Sequence, residues 1–167
     1  IHISYSDSYF HNSINLKYAY SMNGSIWNLS TVDSQSGTGI HSSIILDIRN
    51  NIHISYYDED NNDLKYAFSA GNNSWDLVTI ESIGESHRDS SMVLGSDGNL
   101  HISHFNNSTE IRHTQITYPD YDGDGIGQLI DKCPNEDSTG FDNNSDGCMD
   151  DGDGDGIADS FDLCEGY

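Results

Sequence analysis

The 167-residue chain is poor in positive charge: six Lys and Arg stand against 28 Asp and Glu, a formal net charge of −22. Phosphate contacts need basic patches, so nucleic acid is excluded as a partner. No apolar run approaches the roughly 20 residues of a membrane-spanning helix. No segment combines helical periodicity with caps. No nucleophile–base pair, Gly-rich phosphate loop or general-acid pair stands out, so these residues do not describe an enzyme. The chain begins at Ile1 without an initiator Met or a signal peptide, and reads as a processed product or a section of something longer. Cysteine is scarce: Cys133, Cys148 and Cys164 all lie in the last third, and pairing among them implies an oxidising compartment.

The charge is unevenly placed. Residues 1–118 carry 13 acids and five bases, whereas residues 119–167 carry 15 acids and Lys132 alone, a net charge of −14. A tail of that composition has little to bury. It either stays disordered or is neutralised by bound cations.

Self-similarity fills residues 1–118. "IHISYSDSYFHNSINLKYAYSMNGSIWNLSTVDS" (1–34) matches "IHISYYDEDNNDLKYAFSAGNNSWDLVTIES" (52–82), and a third copy opens at "LHISHFNNSTEIRHTQIT" (100–117). His2, His53 and His101 mark the register, at spacings of 51 and 48 residues. Each unit reads as four short strands. Ser43 to Asp47 is apolar and runs into an Asn50-Asn51 turn. "IHISYYD" alternates Ile52, Ile54 and Tyr56 against His53, Ser55 and Tyr57; "DLKYAFS" sets Leu64, Tyr66 and Phe68 on one face; "WDLVTIE" follows a Gly/Asn turn.

Four antiparallel strands per repeat of about 40–50 residues predict an all-β fold of propeller-like blades. The repeat resembles the "HISYYD…LKYA…W" repeats of secreted, propeller-like surface proteins. The chain holds about two and a half such blades, starting at the second strand of one and ending after the third strand of another. A propeller closes with four or more. Either upstream blades have been removed, or the open sheet edges pair with further copies or with other cell-surface proteins. The three marker histidines fall in different blades and read as hydrogen-bonding positions, and Tyr56, Tyr66, Trp27 and Trp75 read as packing. The turns "SMNGSIW" (21–27) and "SAGNNSW" (69–75) resemble the sialidase Asp-box turn, one residue short and with Asn23 and Gly71 where Asp belongs.

In the tail, "DYDGDGIGQLIDKCP" (120–134) and "DGDGDGIADSFDLC" (151–164) share a template: Asp at positions 1, 3 and 5, Gly at 6, an aliphatic at 7 and Asp at 12. Calcium takes six to eight oxygen ligands, and alternate carboxylates on a tightly curved loop can converge on one ion. Position 12 is Asp where an EF-hand has Glu, and no amphipathic helices flank the loops. The pattern resembles the thrombospondin type 3 repeat, an extended calcium-wound array of secreted proteins. The resemblance implies ligation of two or more structural Ca²⁺ ions over residues 119–167. The first loop would use Asp120, Asp122, Asp124, the Ile126 carbonyl and Asp131. The last would use Asp151, Asp153, Asp155, the Ile157 carbonyl, Asp159 and Asp162. "DNNSDGCMD" (142–150) would be a degenerate loop with Asp142, Asn144 and Asp146. The bracket "CPN…DGC" implies a Cys133–Cys148 disulfide and leaves Cys164 to a partner outside this chain.

Asn23, Asn28, Asn72, Asn106, Asn107 and Asn143 open Asn-x-Ser/Thr sequons, glycosylation candidates in a secreted or cell-surface glycoprotein. Three function classes follow: a non-enzymatic extracellular structural or adhesive segment, or filament subunit, with a calcium-rigidified tail; a glycan-binding, lectin-like module; and a degenerate sialidase-like hydrolase, against which stand only Arg49, Arg88 and Arg112 in residues 1–118.

Overall fold

The structure, a computed structural model, describes residues 1–7, 14–71, 74–82, 89–106, 110–154 and 156–162, the side chain of Asn106 excepted. Two compact units divide the chain, one of Ile1–Val93 with Leu100–Gln115, the other of Leu94–Asn99 with Ile116–Tyr167. The described residues contain ten strands and no helix.

The strands form three antiparallel sheets, none of them closed. The first holds β1 (His2–Asp7), β2 (Asn15–Tyr20) and β3 (Asn28–Asp33). The second holds β4 (Thr38–Leu46), β5 (Ile52–Asp58), β6 (Asp63–Ser69) and β7 (Asp76–Ser82). The third holds β8 (Ser90–Leu94), β9 (Leu100–Asn106) and β10 (Glu110–Ile116), in the order β10-β9-β8. In the second sheet β5 and β6 fall where alternation and turn residues put them, whereas β4 begins at Thr38, ahead of the expected Ser43. The β4–β5 turn is held by Asp47, whose carboxylate accepts the Arg49 and Asn51 N–H groups at 2.9 and 2.8 Å.

The second sheet departs from simple alternation: all seven residues of β5 are buried, His53, Ser55 and Tyr57 as fully as Ile52, Ile54 and Tyr56. Neighbouring sheets account for this. Ile52, Ile54, Tyr56 and Ala67 pack with Leu16, Tyr18 and Val32 of the first sheet. On the opposite face Ser55 Oγ lies 3.2 Å from Ser90 Oγ of the third. The sequence-equivalent Ser4 and Ser42 meet at 2.9 Å. The marker histidines lie in three different sheets, and each meets a side chain of a neighbouring strand. His2 and His53 Nδ1 each lie 2.6 Å from the hydroxyl of Tyr18 or Tyr66, and His101 Nδ1 lies 2.9 Å from His113 Nε2.

One backbone irregularity recurs. The β2–β3 register slips between Leu16 and Lys17, leaving Val32 unpaired, and the β6–β7 register slips at the matching residues Leu64 and Lys65, leaving Ile80 unpaired. A bulge re-aims the residue that follows it, and here that residue is an acid, Asp33 or Glu81. The buried Lys65 ammonium donates to Asp33 Oδ2 at 2.6 Å and to Gln35 Oε1 at 2.8 Å, and the Tyr56 hydroxyl donates to Asp33 Oδ2 at 2.8 Å. Between the second and third sheets Glu81 takes Asp33's place: Arg112 donates to Oε1 at 2.6 Å, and His104 Nε2 lies 3.3 Å from Oε2.

Burial pushes the Asp33 carboxyl up, but Lys65, the Gln35 N–H and the Tyr56 hydroxyl outweigh it and hold the group below the ordinary carboxylate range. Burial, then the Asp33 charge, drives the Tyr56 phenol far upward. Because Asp33's folded pKa is depressed, its contribution is complete above the ordinary value of about 4 and is lost as pH falls through the folded value. Lys65→Met leaves a buried carboxylate without its cation, and should cost about 3–5 kcal/mol in urea unfolding at pH 7, with the deficit shrinking below pH ~4. A loss under about 1 kcal/mol would show that the pair does not hold the sheets together.

Candidate metal centre

The second unit is built from turns. A turn at 94–99 opens it, where the Gly95 N–H donates to the Asn99 carbonyl at 2.8 Å and Asn99 Oδ1 accepts the Tyr118 N–H at 3.1 Å. Gly98 and Gly127 touch through their backbones: a Cβ on Gly127 would stand 2.7 Å from Gly98 Cα.

Beyond it the chain makes the same loop three times, starting at Asp120, Asp142 and Asp151. In each, the first carboxylate accepts the backbone N–H groups of the fourth and sixth residues. Gly123 and Gly125 donate to Asp120 at 2.8 and 2.9 Å. Ser145 and Gly147 donate to Asp142 at 2.6 and 2.9 Å, and Gly154 and Gly156 both donate to Asp151 at 2.8 Å. The geometry requires left-handed backbone at both donors, with φ of +84° and +93° in the first loop, +60° and +84° in the middle one, and +76° and +90° in the last. Gly adopts that region without penalty, and Ser145 is the one non-Gly residue among the six. The fifth carboxylate turns to the seventh N–H: Ile126 donates to Asp124 at 2.7 Å and Cys148 to Asp146 at 3.1 Å. In the first and last loops the chain then closes a turn at positions eight to twelve, with Asp131 N–H on the Gly127 carbonyl and Asp162 N–H on that of Ala158.

These turns converge the side chains unequally. Carboxylate oxygens of Asp120, Asp122 and Asp124 come within 4.8 Å of one another, an all-oxygen donor group of the kind a hard cation takes. The Gly123 and Gly125 N–H groups hold the Asp120 carboxyl below the ordinary range. Asp122 Oδ2 accepts the Glu136 N–H at 2.9 Å and Asp124 Oδ2 accepts the Ser138 hydroxyl at 2.6 Å. Asp122 Oδ1, by contrast, is shielded from solvent and has no hydrogen-bond partner among the described residues. A buried carboxylate oxygen left so is costly, and a cation bound by the triad would relieve it. The residues present therefore fit a hard metal ion.

The remaining expected ligands are placed differently. Asp131 is buried and accepts the Cys133 N–H at 2.7 Å, with its carboxylate against Gly147, and it stands outside the triad. The Ile126 N–H is taken by Asp124. In the middle loop Asp146 is paired with Lys132 at 2.7 Å, which holds the Asp146 carboxyl down and the lysine up, and the Asn144 amide donates to Asp150 at 3.0 Å. In the last loop Asp159 accepts the Gly152 N–H at 2.8 Å, and Asp153 and Ile157 are exposed. Asp155, Cys164, Asn72 and Asn107 lie outside the described residues, as does the Asn106 side chain; Asn23, Asn28 and Asn143 are exposed.

Asp150 escaped the sequence reading. It is the ninth residue of the middle loop and accepts the second residue's N–H, Asn143, at 2.6 Å, as Asp159 does in the last loop. Laying the last loop's expected ligand set, which includes Asp159 at position nine, on 142–153 would have found it. Glu136, which accepts the Met149 N–H at 3.0 Å, carries no periodic signal. Cys133 and Cys148 are joined, with Cα atoms 5.1 Å apart. Closing a loop of about 15 residues contributes about 3 kcal/mol in the chain-entropy model. No protein-family model matches the chain, and no curated protein does.

Two glycine substitutions separate backbone strain from crowding. A Cβ added at Gly154 would meet nothing within 4 Å, whereas one at Gly147 would run into the Asp131 carboxylate. Gly154→Ala should cost about 1–2 kcal/mol for the left-handed backbone alone. Gly147→Ala should cost at least about 1 kcal/mol more. Hydrogen exchange of the loop amides reads both, and equal losses would contradict the packing of Asp131 on the middle loop.

Proposed function

We propose that the chain is a non-enzymatic structural or adhesive segment of an extracellular protein, propeller-like sheets followed by a tail that calcium stiffens. The observation that carries this reading is the Asp120–Asp122–Asp124 group, whose oxygens lie within 4.8 Å and include the unpartnered, shielded Asp122 Oδ1. Its donors are carboxylates alone, the set that hard, oxygen-seeking ions such as Ca²⁺ take and soft metals do not. Repetition of the same loop at Asp142 and Asp151 supports a series of sites, and the disulfide agrees with an oxidising compartment. The open edges of the three sheets support pairing with other cell-surface chains.

A second reading, a glycan-binding module, is supported by a groove of about 940 Å³ in the first unit, lined by Tyr18, Tyr20 and Trp75 with His2, Asn28 and Ser69. Aromatic faces beside hydroxyl and amide groups suit a neutral sugar. Saturable binding on a glycan array that survives chelation of calcium would favour this reading over the first.

Calorimetric titration of the full chain with CaCl₂ tests the main proposal. Saturable uptake of two or more ions is expected, and Asp120→Asn with Asp124→Asn should remove one of them while leaving urea unfolding of the first unit unchanged. No saturable heat, or the same stoichiometry in the double variant, would sink it.

A further inference from the structure

Three strands in the first unit carry one surface. Matched by sequence, Ile1, Ile52 and Leu100 are equivalent, as are Ile3, Ile54 and Ile102; Tyr5, Tyr56 and His104; Lys17, Lys65 and Arg112. In the second sheet this face is covered by the first, and Ile52 and Ile54 are 4% and 0% exposed. In the third sheet Leu100 and Ile102 are both 0% exposed, and Arg112 and His104 hold Glu81 of the second. In the first sheet the same face lies open, with Ile1 59% and Ile3 41% exposed.

Its polar groups are poised as their equivalents are. Tyr5 pairs across the sheet with Lys17, as Tyr56 pairs with Lys65. Lys65 meets Asp33 of the first sheet at 2.6 Å and stands 3.8 Å from Asp58 of its own. Lys17 has no acid of another sheet beside it among the described residues. It closes instead on Asp7, the equivalent of Asp58, at 3.1 Å, and donates to Thr31 at 2.8 Å. The Tyr5 hydroxyl has no hydrogen-bond partner among the described residues.

We propose that the open face of the first sheet, Ile1, Ile3, Tyr5 and Lys17, docks a further sheet of this same sequence type, whose last strand carries a bulge-placed Asp or Glu that Lys17 and Tyr5 grip as Lys65 and Tyr56 grip Asp33. Two instances of the contact within one chain, with matching apolar residues and opposite charges, specify the occupant. A second copy of this chain fits less well, since its bulge-placed acids, Asp33 and Glu81, are already held by Lys65 and Arg112. The docking is face to face and separate from strand addition at an edge. It rests on the structural reading of the first unit and not on calcium. A chelator leaves its readout unchanged, so the two readings fail separately.

The test is the full chain with a duplicate of residues 38–99 joined directly ahead of Ile1. This repeats the junction between Asn99 and Leu100 and supplies a Glu81 counterpart to Lys17. Acetylation of single lysines is followed by mass spectrometry. In the dilute parent chain Lys17 should react at least ten times faster than Lys65. In the extended chain Lys17 should slow at least tenfold, and changing the duplicate's Glu81 counterpart to Gln should restore much of its reactivity. Lys17 as reactive in the extended chain as in the parent overturns the proposal, whether or not the duplicate folds. So does a Lys17 already as protected as Lys65 in the dilute parent, or one protected only when the parent is concentrated, which would assign the face to a second copy.

Discussion

Asp33 and Lys65 meet at 2.6 Å with side chains 3% and 8% exposed. A carboxylate so far from water must either find a cation or take up a proton. The bulge at Val32 aims the acid, the pairing of Tyr56 with Lys65 brings a hydroxyl and an ammonium to one place, and the apolar residues around them exclude solvent. Truncating the lysine would leave the charge stranded. The stacking of the first sheet on the second therefore depends on that match, and Glu81 with Arg112 repeats the arrangement one sheet further on at a more exposed position.

The same constraint runs through the second unit with a different outcome. Its first loop brings oxygens of three carboxylates within 4.8 Å of one another, using left-handed turns in place of bulges. Residues 119–167 contain a single basic side chain, Lys132, and it is engaged with Asp146. The Asp120 group has no such residue to draw on. Where the first unit answers Asp33 and Glu81 with lysine and arginine, no basic side chain is paired with the Asp120 group among the described residues, and this is why we propose that the tail is cation-dependent. The disulfide between the first and middle loops limits how far they can separate when the charges repel, and does not neutralise them.

Much of this was legible in the chain's letters. Alternation and turn residues placed β5 at 52–58 and β6 at 63–69, and the Asp/Gly register marked where the loops begin. Local chemistry sufficed there, because a Gly that needs positive φ or an Asp that caps a turn acts within a few residues. What escaped was non-local. The burial of His53, Ser55 and Tyr57 comes from a sheet lying on the second face of β5, which a period of two cannot announce. The bulges at Val32 and Ile80 and the pairing of Lys132 with Asp146 each depend on a partner elsewhere in the chain. The packing of the Asp131 carboxylate against Gly147 of the middle loop likewise lies beyond what loop spacing announces.

Hydrogen exchange of the Gly123, Gly125 and Ile126 amides, compared at equal ionic strength in calcium and in sodium with a chelator, tests the central claim most directly. These three N–H groups donate to Asp120 and Asp124, so they report whether the loop closes when the triad's charge is answered. Selective slowing of all three in calcium, with the amides of β5 and β6 unchanged, is the expected result. Equal exchange in the two conditions would contradict the account, because the loop would then hold its carboxylates together without an ion.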